Sequence, residues 1–293
     1  MPSGGHAWTG TVDGLPLRLR SAHDLSFLAR WGRVFAVFDQ QDSGNLCFGV
    51  DGPSGRRFVK YAGAPTLRYE GRPRDAVESL RAAGVRYRAL AHPTLVPLLE
   101  SVDLGDGAHA LVFPWVDAVC LGRQYDRRGV LDALTRTQRA DAVQQILDFH
   151  VESTRRGWVA VDLYDGSVLI DPTSGRVTLC DIDFYQPAPY VNPMGRLWGS
   201  TRFMSPEEFR LGAAIDEVTT VHTLGVIAHT LLGDDATRAR DAWIGTPRQF
   251  DIAARAARPD RGDRWPTLAA MAEAWRDSLG GSGPLRASAA GSW

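Results

Sequence analysis

The sequence is nearly devoid of lysine. The chain has 33 Lys and Arg residues, and every one of them except Lys60 is Arg. Lys60 stands in GRRFVKYAG, directly after an apolar pair and before a tyrosine. An ammonium is a compact point charge on a flexible stem, whereas a guanidinium is wide and planar. We therefore expect Lys60 to serve a site that an arginine does not fit.

Cysteines and long apolar runs are also scarce. The three cysteines, Cys47, Cys120 and Cys180, are far apart and each lies in an apolar run. This pattern predicts buried free thiols in a reducing compartment rather than disulfides or a zinc site. No apolar run approaches the roughly 18 residues that span a bilayer, and the first ten residues lack the pattern of a targeting signal. We expect a cytoplasmic protein.

An excess of charge of one sign is absent as well. The formal net charge is -1, and acidic and basic residues are interleaved. This balance argues against a nucleic acid or a membrane surface as partner. With 293 residues, 44% of them hydrophobic, the chain is long enough for one large or two closely packed domains. The oligomeric state is left open.

Residues 1–117 show mostly strand patterns and one helix pattern. Residues 8–19 predict a hairpin around Asp13-Gly14, and Ser21 predicts the N-cap of a short helix. Three alternating runs then predict a meander. Two further segments, TLVPLLESV and HALVFPWV, also have strand patterns, and the second ends at residue 116. The predicted strands are 34–38, 45–50, 56–62 and 109–116, with a helix at 74–91 between the last two.

Residues 118–279 are predicted to be mainly helical. A long amphipathic pattern at 135–156 ends at Gly157, a typical residue after a helix C-terminus. Two short strands are predicted at 168–171 and 177–182, and helices near 217–232 and 266–279. The tail, 280–293, is rich in Gly, Ser and Ala and is predicted to be disordered.

Several motifs occur in a characteristic order. VAVDLYDGSVLI resembles the HRDxxxxNIL loop of protein kinases, VTLCDID resembles VKLxDFG, and GSTRFMSPEE resembles GTxxYMAPE. VHTLGVIAHTLLG and RGDRWPT resemble the later family motifs. From about residue 34 to 276 the sequence therefore resembles the bacterial Ser/Thr protein kinases. The resemblance implies an α+β, two-lobed fold, with ATP and Mg²⁺ as cofactors, and transfer of the γ-phosphate to a hydroxyl, foremost of a protein Ser or Thr.

The resemblance also implies roles for individual residues. Lys60 is expected to contact the α- and β-phosphates, and Asp162 to orient the acceptor hydroxyl and receive its proton. Asp181 takes the position of the DFG aspartate and is expected to bind Mg²⁺. Asp183 competes for that role because it precedes Phe184. Ser167 stands where the family has a metal-binding Asn.

Adenine and phosphate contacts are implied as well. Phe113 falls at the gatekeeper position, and Pro114 and Val116 at the first and third hinge positions. Gly44 is the one glycine kept in the phosphate loop, where Asp39 and Gln41 replace the others.

The family places a helix glutamate beside the lysine. Glu78 is the candidate here, although counting back from His92-Pro93 brings that position to Ala83. Glu207 and Arg264 match a buried ion pair that anchors the segment carrying GSTRFMSPEE.

Some family residues are replaced. Ala160 and Val161 stand for the HRD His and Arg, and Tyr164 and Asp165 for Lys-Pro. Two alternatives therefore remain open: a pseudokinase scaffold that binds nucleotide or partners without turnover, and a small-molecule kinase of the aminoglycoside-phosphotransferase type.

Overall fold

The chain folds into a mixed α+β protein in two compact units. The computed structural model describes residues 7–123, 125 and 127–280. Of the described residues, the first unit comprises 7–117 and 178–185, and the second comprises 118–177 and 186–280 without 124 and 126. The first unit thus includes the strand-rich part of the chain up to Asp117, and residues 178–185 group with it rather than with the helical part. The predicted disordered tail lies outside the described residues beyond Gly280.

A five-stranded antiparallel sheet is the centre of the first unit. Its strands follow the order β3-β4-β5-β7-β6, and the meander predicted from the alternating runs is confirmed as β3 to β5. The strands are β3 (Arg33–Phe38), β4 (Asn45–Gly52), β5 (Gly55–Ala62), β6 (Glu100–Asp103) and β7 (His109–Pro114).

An N-terminal hairpin supplies the core on one face of this sheet. Strands β1 (Trp8–Val12) and β2 (Leu15–Leu19) pair around Asp13 and Gly14, which both have positive φ. This confirms the predicted two-residue turn. Apolar residues of the hairpin and of the following segment pack with the sheet in one buried cluster, which includes Leu17, Leu19, Leu28, Trp31, Leu46, Phe48 and Val50.

The helix predicted from Ser21 is wrong. Only a single 3₁₀ turn forms, at Ser26–Arg30, and Ser21 does not cap it. Asp24 accepts hydrogen bonds from the Ser26 backbone N–H and hydroxyl. Such local side-chain bonds compete with a helical start, and Leu28 and Trp31 are buried from this short turn without a longer helix.

The predicted helix of the first unit is present as α1 (Pro73–Ala89) and packs on β5 and β7. Pro73 occupies the first turn, where its missing N–H costs nothing. A Cβ built on Gly84 would lie 3.0 Å from Leu111 Cδ2 and 3.1 Å from Ser101 Oγ. The small residue therefore lets α1 approach the sheet closely.

The second unit is built mainly of helices. They are α2 (Arg127–Ala133), α3 (Arg136–Arg155), α4 (Glu217–Leu232), α5 (Pro247–Ala256) and α6 (Leu268–Leu279). The predicted long helix is confirmed as α3, which ends before Gly157 at φ 78°. The sequence patterns gave no indication of α2 and α5. Every residue of α4 from Thr219 onward is buried, so α4 is the core of this unit, packed by α3, α5 and α6.

Short strand pairs complete the second unit. Strand β8 (Val119–Cys120) pairs with β10 (Val168–Ile170), β9 (Trp158–Val159) with β12 (Gln186–Pro187), and β13 (Tyr190–Val191) with β14 (Ala214–Ile215). Strand β11 (Val177–Leu179) lies where the chain passes between the units. Within the described ranges, no helix combines the length and the hydropathy needed to cross a membrane.

The predicted Glu207–Arg264 pair is confirmed. Arg264 Nη1 lies 2.7 Å from Glu207 Oε1, and Nη2 lies 3.0 Å from Oε2, with both side chains buried. Arg261 and Thr219 bind the same carboxylate oxygen. Burial alone raises the pKa of Glu207, but the hydrogen bonds and charge of Arg264, together with hydrogen bonds from the backbone and Thr219, lower it to about 2.

Glu207→Gln is expected to lower the free energy of unfolding at pH 7 by about 3 kcal/mol, because it leaves a buried guanidinium without its counter-charge. The carboxylate stabilises the fold above its ordinary pKa of 4.5, and this contribution is lost as the pH falls towards 2. The difference between wild type and variant should therefore shrink over that range. Urea unfolding at several pH values measures it. The exposed Glu273→Gln is the control, and a pH-independent difference would contradict the ion-pair assignment.

Candidate functional site

Strand β5 sets the position of Lys60. In the sheet, Lys60 lies opposite Cys47 of β4 and Leu111 of β7. Its neighbours Val59 and Tyr61 belong to the core cluster under the N-terminal hairpin. Since side chains alternate between the faces of a strand, Lys60 points to the opposite face, towards the side where α1 packs.

Two aspartates hold the Lys60 ammonium. Nζ lies 2.8 Å from Asp181 Oδ1 and 2.6 Å from Asp183 Oδ2. Burial alone lowers the pKa of Lys60, but the two carboxylates outweigh it and raise the pKa well above the usual range. The ammonium is therefore charged at any physiological pH. All three residues belong to the first unit.

The segment that carries the aspartates is fixed by backbone bonds. The Leu179 N–H donates to Thr94 O, and the Val96 N–H donates to Leu179 O. The Asp181 N–H donates to the Tyr87 hydroxyl at 2.8 Å. Arg86 Nε donates to the carbonyl of Tyr185. Helix α1 and the segment after it thus determine where the carboxylates stand.

The two carboxylates differ in their surroundings. The Asp183 side chain is 6% exposed and that of Asp181 is 35% exposed. Burial raises the pKa of Asp183, although Lys60 opposes the rise. Asp183 Oδ1 is buried and has no hydrogen-bond partner within the part of the chain that the structure describes. Asp181 has a φ of 56°, a left-handed conformation that Asp tolerates better than most residues.

Glu78 does not take the role expected of the helix carboxylate. It lies exposed on α1, and the carboxylates paired with Lys60 in the described ranges are those of Asp181 and Asp183. Ala83, the position reached by counting back from His92-Pro93, is fully buried. A solvated glutamate on the outer face of α1 has no route to an ammonium on the inner side.

Tyr87 is a site residue that the sequence patterns did not single out. It is buried one helical turn after Ala83, with its ring 4.7 Å from that of Phe113. Its hydroxyl holds the Asp181 backbone. The i, i+4 spacing from Ala83 was the available signal, because residues so spaced share a helix face.

The predicted hinge residues lie at the end of β7. Phe113 is buried and packs on Tyr87, and Pro114 pairs with Arg57 of β5. The Trp115 N–H donates to Arg56 O. Val116 follows the strand and is half-buried.

The loop between β3 and β4 is held by packing and hydrogen bonding. A Cβ on Gly44 would lie 2.6 Å from Tyr69 Cδ1 and 2.8 Å from Ala76 Cβ, and its φ is 80°. Close packing therefore accounts for this glycine. Asp39, which replaces a family glycine, accepts a hydrogen bond from the Arg18 N–H. Its charge is thus partly satisfied within the N-terminal region.

Asp162 lies in the second unit on a left-handed backbone. Its φ is 61°, and such values at non-glycine residues concentrate at functional sites. A Cβ built on Gly199 would lie 3.6 Å from Asp162 Oδ1, and Gly199 itself has a φ of 140°. The loop around residue 199 therefore passes close to the Asp162 carboxylate. Ser167 is buried, and its Oγ has no hydrogen-bond partner among the described residues.

A network of buried aspartates and arginines surrounds the Asp162 loop. Asp165 pairs with Arg127 at 3.1 Å and with Arg202 at 2.9 Å. Asp235 pairs with the same two arginines and with a third, Arg123. Both carboxylates are buried. The network ties the loop of Asp162 to the loop carrying Arg202, and no local sequence pattern signals it because its members are scattered from residue 123 to 235.

The oxygen ligands of the first unit fit Mg²⁺ by their chemistry. Asp181 and Asp183 offer hard carboxylate oxygens, which Mg²⁺ prefers, and one of those oxygens is buried without a partner. Among the described residues there is no group of three or more His, Cys, Asp or Glu that could hold a metal ion. Mg²⁺ sites commonly use one or two protein carboxylates together with substrate phosphates.

No protein-family model matches this sequence, and no curated protein matches it as a relative.

Asp235→Asn is expected to loosen the loop that carries Arg202. Removing this buried carboxylate takes away the partner of Arg123 and leaves Arg127 and Arg202 with Asp165 alone, which should lower the free energy of unfolding by about 3 kcal/mol. Amide hydrogen exchange should become faster at residues 199–205. The exposed Asp241→Asn serves as control, and unchanged exchange in Asp235→Asn would show that the network does not hold this loop.

Proposed function

We propose that the protein is an ATP-dependent phosphotransferase with a protein-kinase-like, two-lobed fold, and that it transfers the γ-phosphate to a hydroxyl of a protein substrate, foremost Ser or Thr. The observation that carries the proposal is the pairing of the sole lysine with Asp181 and Asp183. Lys60 and Asp181 are separated by about 120 positions in sequence, and the sequence independently points to each of them, to Lys60 by composition and to the aspartates by motif.

The first unit would provide the phosphate-binding half. Lys60 presents an ammonium that stays charged, which a group that binds the negatively charged triphosphate must do. Bound Mg²⁺, which Asp181 and Asp183 would hold through carboxylate oxygens, would neutralise phosphate charge. The hinge at Pro114 and Val116 would present backbone groups to the adenine, and Pro114 still offers a carbonyl.

The second unit would provide the acceptor half. Asp162 would orient the acceptor hydroxyl and take its proton, as a general base must from within hydrogen-bond distance. Its left-handed backbone and the close approach of Gly199 support a position that is held rather than mobile. The buried Asp165 and Asp235 pair with Arg202 without any added phosphate, which supports a loop that needs no phosphorylation to be ordered.

The surface near Asp162 favours a polypeptide acceptor. Five of the nine exposed large hydrophobic side chains in the described ranges fall between residues 191 and 211: Val191, Met194, Trp198, Phe209 and Leu211. Hydrogen bonds from Asn192 to Glu208 O and from Leu197 to Glu208 O join the two ends of this segment. Exposed apolar side chains gathered on one segment favour contact with a polypeptide, whereas a sugar or aminoglycoside would need polar groups.

One observation favours a second candidate, a nucleotide-binding or empty scaffold. The rings of Phe35 and Trp115 lie in contact 4.9 Å apart, and a Cβ on Gly49 would come within 2.9 Å of both. Phe58 adds a third ring. These aromatic rings cover the sheet face beside Lys60, where a planar ligand would have to compete with them.

Turnover with Mg²⁺ and γ-labelled ATP separates these functions. Wild type should release ADP and label a protein acceptor, whereas Lys60→Arg and Asp162→Asn should each lower kcat by about 100-fold or more. The control is Asp132→Asn, whose side chain is 80% exposed in the same unit as Asp162.

The outcomes discriminate between the candidates. Nucleotide binding without ADP release by wild type would select the scaffold. Transfer to added aminoglycosides or sugars but not to protein would select a small-molecule kinase. If wild type neither binds nucleotide nor turns it over, the phosphotransferase proposal is contradicted.

A further inference from the structure

We propose that Asp183, and not a carboxylate of α1, is the residue that positions Lys60, and that Asp181 is the exchangeable partner that turns to the ligand. The identity of that ligand, Mg²⁺ with a nucleotide phosphate, rests on the proposed function. The assignment of the two aspartates rests on the geometry of the first unit alone.

Helix α1 offers no acid on its buried face. Its buried residues are all uncharged: Ala76, Val77, Leu80, Ala83, Gly84 and Tyr87. Its two acids are accounted for elsewhere, because Asp75 pairs with Arg72 at 2.9 Å and Glu78 is exposed. The helix therefore contributes a hydroxyl, that of Tyr87, to this site and leaves the charge to residues 181 and 183.

Asp183 has the properties of a fixed partner. Its contact with Lys60 Nζ is the shorter of the two, at 2.6 Å, and its side chain is the more buried. Ile182 beside it is fully buried, and Arg86 fixes the carbonyl of Tyr185 two residues later. A buried carboxylate that lost its cation would be left with an uncompensated charge, which costs several kcal/mol. Asp183 therefore stays with Lys60.

Asp181 has the properties of an exchangeable partner. Its side chain is about a third exposed, and only Oδ1 contacts Lys60. Its backbone is held by Tyr87, so the carboxylate can rotate without moving the chain. Asp183 also has the positive charge of Arg86 nearby, so Asp181 is the carboxylate at which an arriving cation would take the place of Lys60. Lys60 would then keep its place against Asp183 while its other side faces the phosphates.

The single lysine makes this assignment measurable without any turnover. Protein labelled with ¹³C at lysine Cε gives the signals of one ε-methylene group, because Lys60 is the only lysine. The two ε-methylene protons have separate shifts when the side chain is held in one conformation and merge when it is free. The separation of these two signals in ligand-free protein reports whether Lys60 is positioned.

Asp183→Asn should reduce the separation by more than half, whereas Asp181→Asn and Glu78→Gln should retain most of it. Loss of the separation in Asp181→Asn with retention in Asp183→Asn would overturn the assignment, and so would equal loss in both. A large loss in Glu78→Gln would restore the helix carboxylate and also overturn it. Should Asp183→Asn fail to fold, the result for Asp181→Asn alone still decides, because the proposal requires that variant to keep Lys60 ordered.

A second arm keeps this inference separate from the proposed function. Mg²⁺ with ADP is added to labelled wild type and to Asp181→Asn. The proposed function predicts a shift of the Lys60 signal in wild type and its loss in the variant. No shift in wild type would contradict the nucleotide site, while the ligand-free comparison would still support or overturn the positioning role of Asp183.

Discussion

The contact on which the first unit depends is the one between the Lys60 ammonium and the carboxylates of Asp181 and Asp183. It joins a central strand of the sheet to a segment more than a hundred residues later in the chain. A buried ammonium is costly unless it is paired, and here the surrounding elements supply the pairing. Helix α1 holds the Asp181 backbone through Tyr87, and the segment before β6 holds Leu179 through Thr94 and Val96. An arginine in place of Lys60 would bring a wider group into this enclosed space.

Buried charge organises the second unit in the same way. Glu207 and Arg264 form a buried ion pair with two hydrogen bonds, and Arg261 and Thr219 bind the same carboxylate. Asp165 and Asp235 share Arg127 and Arg202 around the loop of Asp162, and Asp235 also pairs with Arg123. In each case every charge has an opposite partner, which is the condition under which buried ions are tolerated. The left-handed backbone of Asp162 is thus held inside a framework of charges that fixes both loops next to it.

Local sequence patterns predicted most of the regular elements. The hairpin followed from Asp13-Gly14, the meander from alternating runs, and α3 from its amphipathic period and Gly157. The patterns failed where a few local bonds decide the outcome, as at Ser21, where Asp24 forms a turn. Helix α5 was not predicted, although Thr246 caps it and Pro247 begins it, because it is short and follows an irregular stretch.

Individual residues of the candidate site were predictable, but their contacts were not. Lys60 and Asp181, which lie in contact, were predicted from composition and motif order, and the role of Asp162 stays a prediction. The choice of Glu78 failed because helical position alone does not show which face meets the sheet, and the replacement, Asp183, comes from far along the chain. The arginine network was invisible for the same reason. Long-range ion pairs are set by the fold, and spacing in sequence carries no record of them.

The most direct test of the central claim uses the fact that Lys60 is the only lysine. An acyl phosphate derivative of ATP transfers its acyl group to the unprotonated amine of a lysine that lies against the nucleotide phosphates, with release of ATP. Since the Lys60 ammonium keeps its proton strongly, the reaction is run for hours at about pH 9, where a fraction of the amine is neutral. Mass spectrometry of the labelled protein should show the acyl group on Lys60, and excess Mg²⁺-ATP should suppress it. Absence of labelling at Lys60, or labelling that excess Mg²⁺-ATP does not reduce, would contradict a phosphate site at the paired lysine.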